Sequence, residues 1–138
     1  MPQPQVLHIL LVDDDATDRE LFREASASWA DACVVREAAH GEEALQMLGE
    51  GTRLPDLILL DLNMPVKDGR ETLRDIKAQE AYRAIPVCIL STSSAHFDVD
   101  SAYRAGASLF LVKPFDFKSL TEMVQNLHVL FSRYVARA

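Results

Sequence analysis

Residues 8–18 read HILLVDDDATD, an apolar run that breaks without transition into three consecutive carboxylates. Two unit charges about 4 Å apart repel by about 1 kcal/mol in water and about 4 kcal/mol near a protein surface, where the effective dielectric is lower. So dense a cluster requires a compensating cation. The apolar half has the length of a strand buried on both faces, and the same form recurs down the chain. Strands are predicted from Val6 to Val12, Cys33 to Glu37, Leu57 to Leu60, Val87 to Leu90 and Leu109 to Val112.

Between these runs, apolar residues return at intervals of three and four, the period of a helix. Leu21, Phe22, Ala25 and Trp29 form one such stripe, Ala44, Leu45, Met47 and Leu48 a second, Leu73 and Ile76 a third, and Ala102 and Tyr103 a fourth. The last stripe opens near Asp116, a plausible N-cap, and runs through Leu120, Met123, Val124, Leu127, Leu130, Phe131 and Tyr134. Turn signals at Gly49 to Pro55, Pro65 to Gly69, Pro86 and Gly106 separate the elements. Strict alternation of five strands and five helices, joined by right-handed crossovers, predicts an α/β fold: a doubly wound parallel sheet with helices on both faces.

In such sheets ligands sit at the carboxyl ends of the strands. Here those ends are polar: Asp13, Asp14 and Asp15 after the first strand, Asp61 after LILL, Ser91 after VCIL and Lys113 after LFLV. Strands covered by helices on both sides have no packing reason to end this way, so one rim is predicted to hold a site. Several carboxylates, a hydroxyl and an ammonium suit a hard divalent cation such as Mg²⁺, with Lys113 balancing charge from the far side. A metal beside Lys113 and Ser91 would also neutralise a phosphoryl group, whose transfer is catalysed mainly by positioning and charge stabilisation.

Composition bounds the rest. With 138 residues, 49% of them hydrophobic, the chain is expected to form one domain over 1–138 with its core over about 7–130. A net charge of -7 and no clustered basic surface argue against nucleic acid. Cys33 and Cys88 each sit in an apolar run, as buried free thiols of a reducing compartment do. Neither a signal peptide nor about 18 consecutive apolar residues occurs, so the expectation is a cytoplasmic protein with no membrane partner.

Two carboxylates compete as phosphoryl acceptor. Residues 13–17, DDDAT, fit the D-x-D-x-T pattern of haloacid-dehalogenase-type phosphatases, with Asp13 as nucleophile and Asp15 as general acid, although no later acidic pair follows Lys113. The alternative is Asp61. VDDD, LLDLNMPVKDG, ILST and FLVKPF, in this order and spacing, resemble the receiver domain of bacterial two-component response regulators over roughly Leu7 to Leu130.

That resemblance implies a five-stranded sheet of order 2-1-3-4-5 and makes Asp61 the phosphoacceptor. It implies that Asp13 and Asp14, with Asp61 and the main-chain carbonyl of Asn63, hold Mg²⁺. Ser91, Lys113 and Phe110 fall where the family has its switch hydroxyl, its lysine and its rotameric aromatic residue, here without the tyrosine hydroxyl. It further implies a cis bond between Lys113 and Pro114 and an influence of the Asn63 and Ser93 side chains on the rate of phosphoryl loss; the third acid, Asp15, departs from the family's pattern. The partner implied is a sensor histidine kinase. Because DLNMPVKDGRE is similar to the segment of single-domain members that serve bacterial phytochrome kinases, a bacteriophytochrome is the kinase expected. No catalysis is expected beyond the domain's own phosphorylation and dephosphorylation. Output to an unidentified downstream protein would pass through its own surface, and a platform that only docks is disfavoured by the intact set of Asp14, Asp61, Ser91 and Lys113.

Elsewhere, Arg19 and Arg23 are expected to meet a kinase or form a solvated face, and Trp29 and Tyr103 to serve in packing. His8, His40, His96 and His128 lack ligand-like spacing and are expected on the surface or at strand ends. A final helix over about 116–137 would be about 30 Å long at 1.5 Å per residue and overhang the sheet. Phe131, Tyr134 and Val135 would then project beyond the core, and a symmetric homodimer through this helix is expected.

Overall fold

The computed structural model describes residues 6–29, 32–51 and 53–136. Five strands, β1 (Leu7–Val12), β2 (Cys33–Ala38), β3 (Leu57–Asp61), β4 (Val87–Ser91) and β5 (Leu109–Val112), alternate with five helices. These are α1 (Ala16–Ala25), α2 (Gly41–Glu50), α3 (Gly69–Ala78), α4 (His96–Arg104) and α5 (Phe117–Val129). The strands form one parallel sheet in the order β2-β1-β3-β4-β5, as the resemblance implied.

Strand side chains alternate between the two faces, so each apolar run feeds two cores. Leu10, Val12, Ile58, Leu60, Val87 and Ile89 pack with Ala44, Leu48, Leu73, Ile76 and Ala102 of α2, α3 and α4. Leu7, Ile9, Leu11, Leu57, Leu59, Cys88 and Leu90 pack with Phe22, Val124 and Leu127 of α1 and α5. Both cysteines are free and buried, and burial raises their thiols to about 11 at Cys33 and about 12 at Cys88. In that protonated state they are poor nucleophiles.

Helix starts are set by side-chain caps. Asp15, Asp68 and Asp116 accept hydrogen bonds from backbone N–H groups of the first turns of α1, α3 and α5, and His40 does so through Nδ1 for α2. Among the five described α-helices, α4 lacks a side-chain cap, its N-cap being Ala95. Gly69 opens α3 because a Cβ there would lie 2.1 Å from the Asp61 carbonyl oxygen and 2.7 Å from Leu62 Cα. That close approach lets the α3 backbone abut the end of β3.

Several expectations are corrected. Trp29 lies in a 3₁₀ turn after α1, not on the helix. Gly49 sits inside α2, which runs on to Glu50. The last helix is shorter than 116–137: α5 ends at Val129, a π turn spans Leu130–Tyr134, and Val135 is extended, while residue 137 lies outside the described residues. The π turn widens the spiral and brings Phe131 inward, where it is 4% exposed and joins the α1/α5 core; Val135 packs against the same cluster. Tyr134 alone of the three projects outward. His128 is also internal, its ring stacked on Trp29 at 5.0 Å, and burial lowers its basicity. The Lys113–Pro114 bond is trans, the lower-energy isomer for most X–Pro bonds.

Candidate functional site

Register brings the polar strand ends together. Val12 pairs with Leu60, Asp61 with Leu90, and Ser91 with Val112, so residues 13, 61, 91 and 113 all emerge on one rim. The two-residue period then divides them. Asp13, Asp61 and Lys113 continue the series of side chains that faces α1 and α5, whereas Ser91 and Phe110 continue the series facing α4.

Carboxylate oxygens of Asp13, Asp14 and Asp61 all lie within 4.8 Å of one another, the first buried, the second exposed and the third between. Lys113 Nζ is 2.8 Å from Asp13 Oδ2, 3.2 Å from Asp18 Oδ2 and 3.9 Å from Asp61 Oδ2. Burial pulls the ammonium downward, but hydrogen bonding and charge from Asp13, with Asp61 and Asp18 adding to it, hold Lys113 above its usual range. Asp61 also moves upward, toward its neutral form. Burial raises its carboxyl to about 6 against the lowering effect of Lys113, with Asp13 and Asp14 pushing further up and an Asn63 backbone hydrogen bond pulling down. Asp13, Asp18 and the partly buried Asp61 thus share one ammonium, with Asp14 close by, a deficit of positive charge that a divalent ion would remove.

The donor set fits such an ion. Three carboxylate oxygens converge, and hard cations prefer oxygen ligands. Asn63, exposed and two residues after Asp61, is placed beside the same cluster.

Asp15 does not take part. Its Oδ1 accepts from Thr17 N at 2.8 Å and Asp18 N at 3.3 Å, so the extra acid is the α1 cap. This bonding gives the extra acid a structural role and does not favour the phosphatase alternative, in which it would be the general acid. Arg19 is largely covered while Arg23 stays exposed. Both bind Glu37 of β2, at 3.2 and 2.9 Å, and Arg19 Nη1 also donates to the Asp13 carbonyl at 2.6 Å. Arg19 and Asp18 are therefore site-supporting residues that no motif spacing disclosed. Their only sequence signal is their place on the first turns of α1, beside the acidic strand end.

On the α4 side, Ser91 is fully buried and its Oγ accepts from Ser93 N at 3.1 Å, while the Lys113 backbone N–H donates to the Ser91 carbonyl at 2.7 Å. Phe110 is half-buried against the neighbouring core, and its N–H donates to the Tyr103 hydroxyl at 3.0 Å. Tyr103, expected in packing, is 46% exposed and serves β5 through that hydroxyl. Val66, in the loop after β3, has φ of 67° and is bridged by a hydrogen bond from Lys67 N to the Pro65 carbonyl. This tight turn in a β-branched residue is costly and marks a loop constrained by its surroundings.

Comparison with known proteins agrees with this geometry. The model of the response regulator receiver domain matches residues 9–125. Response regulator Rcp1 of Synechocystis sp. is 38% identical over 124 residues, covering 86% of this chain and 84% of that protein. The crystal structure of its Mn(2+)-bound form superposes with a TM-score of 0.87 at 33% identity, covering 96% of this chain and 99% of that one. The phosphorylated cyanobacterial phytochrome response regulator RcpA gives a TM-score of 0.90 at 32% identity, over 96% and 98% of the two chains. With the acidic rim, the sheet order and a family match over most of its length in agreement, the chain belongs to the response regulator receiver domains of two-component signalling.

Proposed function

We propose that Asp61 accepts a phosphoryl group from a phosphohistidine of a sensor histidine kinase. The observation carrying this reading is that Lys113 Nζ lies within 3.9 Å of both Asp13 and Asp61 while these acids and Asp14 converge on one point. In the transfer, the P–N bond to the donor imidazole breaks with its electron pair going to nitrogen, and an Asp61 carboxylate oxygen forms the new P–O bond. Lys113 stabilises charge on the peripheral oxygens. Asp13 and Asp14, with Asp61 and the carbonyl of Asn63, would hold Mg²⁺, which when bound neutralises the oxygens of the transferring group. On this reading the buried Ser91 hydroxyl turns toward the new phosphoryl, and Phe110, on the same face, follows it.

The likeness to the phytochrome response regulator RcpA, and to the response regulator RPA3017 in red light signaling of R. palustris, supports a bacteriophytochrome as the kinase. Output passes through the receiver's own surface to a downstream protein. The homodimer is assigned to the α5 region together with β5 and α4, where Tyr103, Val112 and Phe117 are each close to half exposed. Among the described residues no helix is long and apolar enough to cross a membrane.

Incubation with Mg²⁺ and acetyl phosphate tests the acceptor. Mass spectrometry should find one acyl phosphate on wild type, none on Asp61→Asn, and retained labelling on Asp15→Asn. Label on Asp61→Asn, or its loss in Asp15→Asn alone, would assign the chemistry elsewhere.

A further inference from the structure

The loop between β4 and α4 carries a chain of polar contacts that extends beyond the acidic rim to α3. Ser93 Oγ donates to Asp98 Oδ2 at 2.7 Å, and Arg70 Nη2 donates to Asp98 Oδ1 at 2.7 Å. Both oxygens of one carboxylate are thereby occupied, one by the loop and one by α3. Ser93 contributes twice more: its N–H holds Ser91 Oγ at 3.1 Å, and its Oγ accepts from Ala95 N at 3.2 Å. The latter bond stands in for the cap that Ala95 cannot supply to α4. Asp98 lies in the first turn of α4, where a carboxylate is favoured by the helix dipole, and its hydrogen bonds from Ser93 and then Arg70 hold it below its usual range.

These bonds tie the β4–α4 loop and the start of α4 to the start of α3, beside the proposed acceptor. Arg70 follows Gly69, whose backbone abuts Asp61, and Ser93 follows Ser91, whose hydroxyl must leave Ser93 N to reach a phosphoryl on Asp61. Asp98 and Arg70 are only partly exposed, and a bond network among charged groups in such a setting exceeds an isolated surface pair. We infer that Arg70, Asp98 and Ser93 form a latch that holds the β4–α4 loop in its resting position, so that Arg70 and Asp98 are positioning residues setting how readily Ser91 reaches the phosphoryl. This rests on Asp61 being the acceptor. Releasing the latch frees the loop and raises the population in which Ser91 is available.

The test has two arms. In unphosphorylated, donor-free protein, hydrogen exchange at the Ser93 and Ala95 amides should quicken by about tenfold in Arg70→Ala and in Asp98→Asn. Arg70→Lys should restore part of the protection, and Ser93→Ala should quicken Ala95 without any change at α3. The double variant Arg70→Ala/Asp98→Asn should behave like either single one, since one latch is broken only once. In the second arm, acetyl phosphate with Mg²⁺ should label the two single variants severalfold faster than wild type, with urea unfolding still a single cooperative transition. Unaltered exchange, additive effects of the pair, or unaltered labelling rates would each overturn the latch. Failure of wild type to label at Asp61 would instead overturn the acceptor assignment, an outcome the exchange arm distinguishes because it needs no phosphoryl.

Discussion

Asp61 is ionised at neutral pH at a cost to the fold. Its carboxyl stands near 6 in the folded chain against an ordinary 3.8, chiefly because the side chain is buried. Between those values the folded state binds more protons than the unfolded one, so stability falls as pH rises through this window and stays lower above it. A shift of about two units is worth up to about 3 kcal/mol. In metal-free protein, Asp61→Asn should therefore raise the urea midpoint at pH 7, with the gain shrinking toward zero by about pH 4. Equal gains at both pH values would show that burial of charge is not its source. Saturating Mg²⁺ should narrow the gap at pH 7, since it stabilises wild type and leaves the variant nearly unmoved. Asp15 shows the limit of reading single residues: its place in DDDAT suggested chemistry, yet its carboxylate caps α1.

Among the elements, α5 departs most from its sequence pattern. Its apolar spacing continues past Val129, and a regular helix would carry Phe131 and Tyr134 beyond the sheet together. The π turn over Leu130–Tyr134 separates them, Phe131 at 4% exposure and Tyr134 at 74%. Phe131→Ala should cost about 3–5 kcal/mol in chemical unfolding, as truncation of a buried aromatic does. Tyr134→Ala should stay within about 0.5 kcal/mol. Comparable losses at both positions would place Tyr134 in the core and refute the turn. The strands behaved otherwise. Their ends moved by at most a residue or so from the pattern because burial on both faces demands continuous apolar runs, which leave a plain trace.

For the whole molecule, the exposed apolar residues Tyr103, Val112 and Phe117 gather at the β5 edge of the sheet and the elements beside it. The proposed dimer uses this edge rather than the tip of the chain, where Phe131 is committed to the core. Light scattering at high micromolar concentration, with Mg²⁺ and acetyl phosphate present, should give about twice the 15.4 kDa protomer mass. Val112→Asp should return the protomer mass; a monomeric wild type would dismiss this interface.

The spacing of apolar runs and the polar strand ends by themselves determined the strands, the helices and the polar rim, because period and spacing are local properties of a chain. Asp13, Asp61, Ser91 and Lys113 were legible as strand-end exceptions before any coordinate was known, and register then made them neighbours. The structure alone decided that Asp15 caps a helix, that Asp18 shares Lys113, that Arg19 props the Asp13 carbonyl, and that Ser93, Asp98 and Arg70 are linked. It also placed Phe131 and His128 inside. Each of these depends on which side chains two elements present to each other across the fold, a relation between distant parts of the chain that leaves no periodic mark in either.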